Sequence, residues 1–498
     1  MGRSPSISKL ISSNTDQFST SARQLVMDRS EFKQALLKGG LYLTLRQLIS
    51  MVLSLISVLV ITRVLGPERY GWYIIGFSCN AVATSLSNMG LKVYLIRKPG
   101  DCPKKLQGEI LAFLMMSGIV VSIIVILTAS MVSHWSNLPE LRLILIAMAP
   151  AILLDTCAGA PLGLLERNLQ YQRSSLAEVG SLLLYYIAAI PFVLIGWGVW
   201  GVIAAFLLQS LFQVVVAFVF HPIRPVWPQN LERLRSALNY GVRYSMAIWA
   251  EQGRGLGVSL ILGRFVGAEA VGLVGVTTRI TLLLAVAQTV ALQLGISGFA
   301  KLQEDLSEMR RALSKAMIYQ AFLLTLAFGL FACLSSVLIP PILGSKWHGI
   351  IFLFPFVALA LLFKIVFELH KLVLFAMGYN LDVLRFNLVN AAVAFVVLAV
   401  LGSPFHMWGY VVAEMFCLPV YGLLHWSVSR IIGSPNYKPF LYLVGGTIIP
   451  LLIANRLPPF FAIFLLFGGL SISFLVSSEL RTMYRELETT LNRKLKKI

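Results

Sequence analysis

The chain has 498 residues, of which 57% are apolar and only 13% are charged, and its mean hydropathy is +0.80. Soluble domains carry about 25% charged residues, so this composition excludes a soluble globular protein and indicates a polytopic membrane protein. In a soluble protein the formal net charge of +19 would point to nucleic acid. Here the positions of the lysines and arginines along the chain account for that charge without a nucleic-acid partner.

Apolar runs of about twenty residues, each long enough to cross a hydrocarbon core of about 30 Å as a helix, follow one another along the chain. We number them spans 1 to 14. They lie near residues 39–63, 70–92, 107–132, 141–164, 175–196, 198–220, 239–263, 270–297, 314–340, 350–376, 382–402, 407–428, 438–454 and 458–478. The predicted fold class is therefore an all-α polytopic membrane protein with about fourteen transmembrane helices.

Lysine and arginine are concentrated on one side of the predicted membrane. The two tails and the connections after even-numbered spans carry thirty of them, whereas the connections after odd-numbered spans carry six. Because basic loops remain in the cytosol, both termini are predicted to be cytosolic. Residues 1–35 are polar and offer no cleavable signal.

The five cysteines give no sign of a disulfide framework or a metal site. Cys79, Cys157, Cys333 and Cys417 lie within spans and Cys102 lies in a cytosolic loop, without a CxxC pair or a Cys/His cluster. We therefore predict no cofactor and no metal.

An internal repeat divides the chain into two halves. Residues 63–71 (RVLGPERYG) return 201 positions later as residues 264–272 (RFVGAEAVG), in both cases between two apolar runs. An even number of spans in each half gives both copies the same orientation, which predicts two parallel bundles facing a central cleft. The predicted units are a tail (1–38), a first six-helix bundle (39–222), a second six-helix bundle (223–431), spans 13 and 14 (432–478) and a basic tail (479–498).

The repeated corner is interpreted as a packing element. Gly66 and Gly267 can end spans 1 and 7 in a left-handed conformation, and Gly71 and Gly272 allow close packing. These are requirements of a tight hairpin, and we favour them over direct contact with a substrate.

Charged side chains inside the spans are the candidates for function, because burial in a membrane costs about 2.5–3.5 kcal/mol for each of them. The candidates for substrate binding are four bases: Arg46, Arg254, Arg279 and Lys364. The candidates for ion coupling are four carboxylates: Asp155, Glu251, Glu368 and Glu414. Arginine binds phosphate with two parallel hydrogen bonds, so the expected cargo carries a diphosphate.

Two interpretations of Glu251 and Arg254 stay open. Their spacing of three places them on one helix face, so they form either a neutralised pair within the helix or a cation-responsive carboxylate beside an anion-binding guanidinium. Lys364 and Glu368, four residues apart, are a second possible pair. Lys371 lies near the cytosolic end of span 10 and is expected to extend its amine to the interface.

Three glycines, Gly253, Gly255 and Gly257, surround Arg254. Glycine weakens a helix interior by about 0.5–1 kcal/mol relative to alanine, so the run predicts a hinge in span 7. Close packing of Gly253 and Gly257 against a neighbouring helix is the alternative.

Several motifs resemble one known family. They are the repeated corner, Gly90-Leu91, Pro161-Leu162-Gly163 with Arg167, Tyr171-Gln172-Arg173 and Phe299-Ala300-Lys301-Leu302. Together they resemble the polysaccharide repeat-unit flippases (O-antigen or capsule) of the multidrug/oligosaccharidyl-lipid/polysaccharide exporter superfamily, over residues 30–430. Many of those relatives carry Asn and Asp in the middle of span 7, whereas this chain has a glutamate and an arginine there.

The resemblance implies a flippase that moves undecaprenyl-diphosphate-linked oligosaccharide across the cell inner membrane by alternating access, coupled to a gradient of H⁺ or Na⁺. It also implies polysaccharide polymerase or export machinery as a partner. A multidrug exporter of the same fold is the first alternative, but cationic drugs call for acidic sites. A membrane glycosyltransferase or polymerase is the second, but the chain lacks the large outer loop such an enzyme needs, so we predict a protein that is not an enzyme.

Overall fold

The computed structural model describes residues 29–98, 100–227, 231–285, 288, 298–299 and 302–495, and within them it contains helices and no strand. The helices are α1 (Arg29–Asn88), α2 (Leu91–Arg97), α3 (Lys104–Ser136), α4 (Glu140–Arg167), α5 (Tyr171–Phe192), α6 (Val199–Phe220), α7 (Leu231–Phe265), α8 (Ala268–Leu284), α9 (Leu306–Leu343), α10 (Gly349–Ala376), α11 (Asn380–Phe405), α12 (Trp408–Cys417), α13 (Tyr421–Ile432), α14 (Lys438–Ile453), α15 (Pro459–Val476) and α16 (Ser478–Leu495).

The helices confirm the all-α membrane class. In the described part of the chain, ten helical stretches are long and apolar enough to cross a membrane by length and composition. The other four predicted spans fall on the two parts of α1, on α7 and on α8, where span 8 continues beyond the described residues. α12 and α13, joined by a short 3-10 turn, together form span 12.

Helix α1 joins the two halves of the bundle. It packs on α4 and α5 of its own half and, on its other side, on α8 and α7 of the second half. In the second half α7 packs on α11, and α10 packs between α8, α9 and the α12–α13 pair. The pair α14 and α15 packs on α9, at the edge of the second half. The predicted domain boundaries near 222 and 431 lie at or within one residue of the connections after α6 and α13, and they stay predictions.

The two copies of the repeated corner have the same backbone conformation. Gly66 has φ 75° and ψ 171° and divides α1 into two helical parts, and Gly267 has φ 107° and ψ 168° between α7 and α8. The predicted positive φ is confirmed at both positions. The ψ values place both residues in a region that is open only to glycine, not in the left-handed helical region we expected. This sharp turn sets the angle between spans 1 and 2 and between spans 7 and 8.

Candidate functional site

Six charged side chains from three helices of the second half come together, and we call them the charged cluster. They are Glu251 and Arg254 on α7, Lys364, Glu368 and Lys371 on α10, and Glu414 on α12. The three α10 residues are four and three positions apart, so they share one face of that helix. The packing of α10 against its neighbours thus brings five of the eight candidate residues into one place.

Arg254 pairs across helices with Glu414. Its Nη2 lies 2.7 Å from the Glu414 Oε1, and both side chains are about 15% exposed. The same nitrogen lies 3.9 Å from the Cys417 Sγ. A pair this short and this buried is charge-assisted, so it fixes the guanidinium between α7 and α12.

Glu251 is held more loosely than the other carboxylates. Its oxygens lie 3.5 Å from the Lys364 Nζ and 3.9 Å from the Lys371 Nζ, and its side chain is 45% exposed. Lys371, only 6% exposed, is bound more tightly by Glu368 at 2.7 Å. Of the three carboxylates of the charged cluster, Glu251 is therefore the one whose displacement from its partners costs the least free energy.

These contacts decide two possible pairings and correct the expected position of one side chain. Glu251 and Arg254 do not form an ion pair within α7, because each meets a partner on another helix. Lys364 pairs with Glu251 and not with Glu368. Lys371 does not extend to the interface but is buried, since its amine meets two carboxylates and lies 5.3 Å from the centre of the Phe386 ring. Residues 364, 368 and 371 share one face of α10, and this spacing could have revealed that Lys371 lies in the same cluster.

Near Arg254, three buried polar atoms have no hydrogen-bond partner in the described part of the chain. They are Nε of Arg254, Oε1 of Gln252 and Nδ2 of Asn390. Asn390 belongs to the same region, because its carbonyl accepts from Cys417, which also contacts Arg254. Buried polar groups are nearly always paired, so Arg254 retains hydrogen-bonding capacity that Glu414 does not use.

The other candidate residues lie elsewhere. Asp155 on α4 faces the hydroxyl of Ser210 on α6. Arg279 on α8 lies among four tyrosines of the first half, Tyr70, Tyr73, Tyr185 and Tyr186. The side chain of Arg46 lies outside the described residues, so its predicted role stays a prediction.

The three glycines of α7 differ in their surroundings. The helix continues without a break through all of them. A Cβ added to Gly257 would overlap the Phe395 ring on α11, which matches the predicted close packing. Gly253 and Gly255 have no atom within 4 Å of such a Cβ, so packing does not explain them and the hinge interpretation stays a prediction.

The repeated corners meet each other, and we call their contact the seam. A Cβ on Gly71 would overlap the carbonyl oxygen of Ala268, and a Cβ on Gly272 would overlap the carbonyl oxygen of Pro67. The backbones of the two halves therefore touch in a reciprocal way that only glycine permits.

The two repeated arginines also act across the seam. The Arg63 Nη1 donates to the carbonyls of Pro341 and Ile342 at the end of α9, at 2.8 and 3.3 Å. Arg264 donates to the carbonyl of Trp135 at the end of α3 and lies over its ring. Each arginine thus binds the carboxyl end of a helix in the opposite half, where cations are favoured. The hairpin interpretation missed this role, although the repeat itself marked both residues.

Comparisons with known proteins identify the family of the chain and proteins of similar fold. Residues 60–352 match the model of a family described as polysaccharide biosynthesis protein. None of the curated protein sequences compared with the chain matches it.

Solved transporter structures share the fold. The lipid II flippase MurJ in an inward closed conformation has a TM-score of 0.72 at 14% identity, covering 90% of this chain and 99% of that one. An inward-facing multidrug resistance transporter of the MATE family, in the MOP superfamily, has a TM-score of 0.62 at 15% identity, covering 78% and 98%. At these identities the likeness shows an all-helical transporter fold.

Proposed function

This chain belongs to the polysaccharide biosynthesis protein family, and from that premise we propose that it is a flippase for undecaprenyl-diphosphate-linked oligosaccharide. It moves this lipid from the cytosolic to the outer leaflet of the cytoplasmic membrane by alternating access. The face that carries the basic loops is the cytosolic one in this proposal, and we call it the basic face. The seam then closes the opposite, outer face.

The observation that carries the proposal is the charged cluster. Arg254, Lys364 and Lys371 place three cations together inside the membrane-spanning part of a transporter fold. Buried charges are costly and usually mark a substrate or ion pathway. A diphosphate is the group of a lipid-linked sugar that cations of this kind bind best.

Binding of an anion requires an exchange at Glu251. The three cations face three carboxylates, Glu251, Glu368 and Glu414, so the cluster has no net charge when all six groups are ionised. A phosphate that replaces the loosely held Glu251 gains Lys364 and Lys371 as partners. The unpaired Nε of Arg254 offers a further donor.

The same exchange makes loading of the cargo depend on a cation at Glu251. A proton or a sodium ion that neutralises Glu251 weakens its hold on the two lysines and leaves them free for phosphate. Because coupling between two ligands is reciprocal, the cation and the substrate strengthen each other's binding. If the cation is a proton, substrate binding should tighten as the pH falls, and if it is sodium, binding should tighten as the sodium concentration rises; Glu251→Gln should lose this dependence in either case.

The direct test is transbilayer movement of a fluorescent lipid-diphosphate-oligosaccharide in proteoliposomes. We expect transport by the wild type and at least about a tenfold loss in Arg254→Gln or Lys364→Gln, because a charge-assisted hydrogen bond contributes about 1.5–3 kcal/mol. Lys346→Gln, which removes an exposed lysine at the seam, is the matched control and should transport normally. Efflux of a cationic dye without lipid movement would instead identify a multidrug exporter.

A further inference from the structure

A second group of cations lies at the basic face, away from the charged cluster. There α2 of the first half meets the start of α7, and the first residue of α11 completes a cavity of about 620 Å³. Its lining includes Arg97, Arg235, Arg243 and Glu232. We infer that this cavity, which we call the entry pocket, binds a phosphate or diphosphate group between the two halves of the protein.

The charges of the entry pocket favour an anion. Three arginines face one glutamate, and within the described residues none of the three arginines takes part in an ion pair. By contrast, Arg254 is bound by a carboxylate and Arg63 donates to two backbone carbonyls. Three unpaired guanidinium groups around one cavity repel each other, and a bound phosphate removes that repulsion.

The three arginines are exposed, and their helices place them around the cavity. Arg235, Asn239 and Arg243 follow one another at intervals of four, so they line one face of α7. The Arg97 guanidinium lies 5.4 Å from the centre of the Tyr244 ring, which positions it from the α2 side. Arg97 therefore needs little reorganisation when a phosphate binds.

The pocket lies beside a close backbone contact between the two halves. A Cβ on Gly90 would overlap the carbonyl oxygen of Gly241, and a Cβ on Gly241 would overlap that of Met89. A phosphate bound by Arg97 on one side and by Arg243 on the other therefore links the two halves. It favours the state in which the basic face is closed, because separation of α2 from α7 would part its ligands.

This inference goes beyond the proposed function, which needs only the charged cluster. The shared ligand chemistry is a phosphate group, and it has two sources: the diphosphate of a transported lipid or the headgroup of an anionic membrane lipid. Binding can be measured without transport, so failure of one proposal is distinguishable from failure of the other.

The first experiment measures binding of inorganic pyrophosphate to the full-length protein by calorimetry in nanodiscs of phosphatidylcholine. Arg97→Gln and Arg243→Gln should each weaken binding about tenfold, the loss expected for one charge-assisted contact. Arg173→Gln removes an exposed arginine of the same face outside the pocket and should leave the affinity unchanged. The comparison is repeated in an Arg254→Gln background, which weakens pyrophosphate binding at the charged cluster; the tenfold losses in Arg97→Gln and Arg243→Gln should persist there, which separates the entry pocket from the charged cluster.

The second experiment identifies the source of the phosphate. If anionic headgroups occupy the pocket, nanodiscs containing phosphatidylglycerol should weaken pyrophosphate binding to the wild type but not the residual binding to Arg243→Gln. If they do not, the affinity of the wild type should be the same in both membranes, which assigns the pocket to the diphosphate of the cargo. Equal affinity in the wild type, Arg97→Gln and Arg243→Gln would overturn the inference, as would an equal loss in Arg173→Gln.

Discussion

At the seam, Arg63 and Arg264 make the same kind of contact in both directions, whereas Arg254 in the charged cluster has no basic counterpart in the first half. At the offset of 201 residues, Arg254 lies over Leu53. Glycine contacts and helix-end contacts thus occur in both copies, whereas the charged cluster lies in the second half. The duplicated residues form contacts between the halves, and the residues of the proposed binding site are not duplicated.

The largest expected effect is in the charged cluster, whose residues are not duplicated. Glu414→Gln leaves Arg254 buried without a charged partner, which should lower the free energy of unfolding by about 3 kcal/mol. Adding Arg254→Gln should restore much of that loss, because no unpaired charge then remains. Thermal unfolding in detergent measures both variants, with Glu308→Gln, which removes an exposed pair, as the control. A loss in Glu414→Gln no greater than in the control would show that Arg254 does not depend on this carboxylate.

The seam should respond equally from both halves. Gly71→Val and Gly272→Val each force side-chain atoms onto a backbone carbonyl, so each should cost about 1–3 kcal/mol of stability. Gly468→Val adds the same atoms where no atom lies within 4 Å and should cost less. The melting temperatures of the three variants test this prediction. A large decrease at only one of the two seam glycines would show that the two halves do not contribute equally to the seam.

A smaller and again symmetrical effect is expected from the seam arginines. Arg63→Gln and Arg264→Gln each remove a charged donor to a carbonyl, worth about 1 kcal/mol at an exposed position. The distribution of distances between spin labels at residues 68 and 269, measured by electron spin resonance, should broaden by the same amount in both variants. Arg69→Gln, in the same corner, should leave the distance distribution unchanged, and broadening in only one of the two variants would contradict reciprocity.

The smallest effect on stability is expected in α7. Gly253→Ala meets open space, so it should keep or raise stability by up to about 1 kcal/mol while slowing transport, if the helix must bend there. Gly257→Ala should lower stability through its contact with Phe395. Proteoliposome transport rates compared with melting temperatures separate the two, and undiminished transport in Gly253→Ala would exclude the hinge.

The sequence predicted the helices well because hydropathy and helix length are local properties. Each apolar run corresponds to a helix in the described residues, and the positive φ at Gly66 and Gly267 followed from residue type and position. The charges inside the spans were also identifiable, since each interrupts an apolar run.

The pairing of those charges could not be predicted in the same way. Glu251 meets Lys364, more than one hundred positions away, only because α7 and α10 are rotated to face each other. That rotation depends on how side chains of many helices interlock, and it is not visible in either helix alone. The repeat likewise revealed the seam residues but not that the two corners contact each other.

The balance of charge in the cluster bears on the energetics of the transport cycle. With three cations and three carboxylates, the ionised cluster adds no net charge when the protein is empty. A conformational change of the empty protein then moves none of the cluster's net charge through the membrane potential, which would otherwise cost about 2.3 kcal/mol per charge at 100 mV. Under the proposed mechanism, the electrical work at this cluster therefore falls on the cargo and the cation that binds with it, and the cluster itself adds no charge movement to the return of the empty carrier.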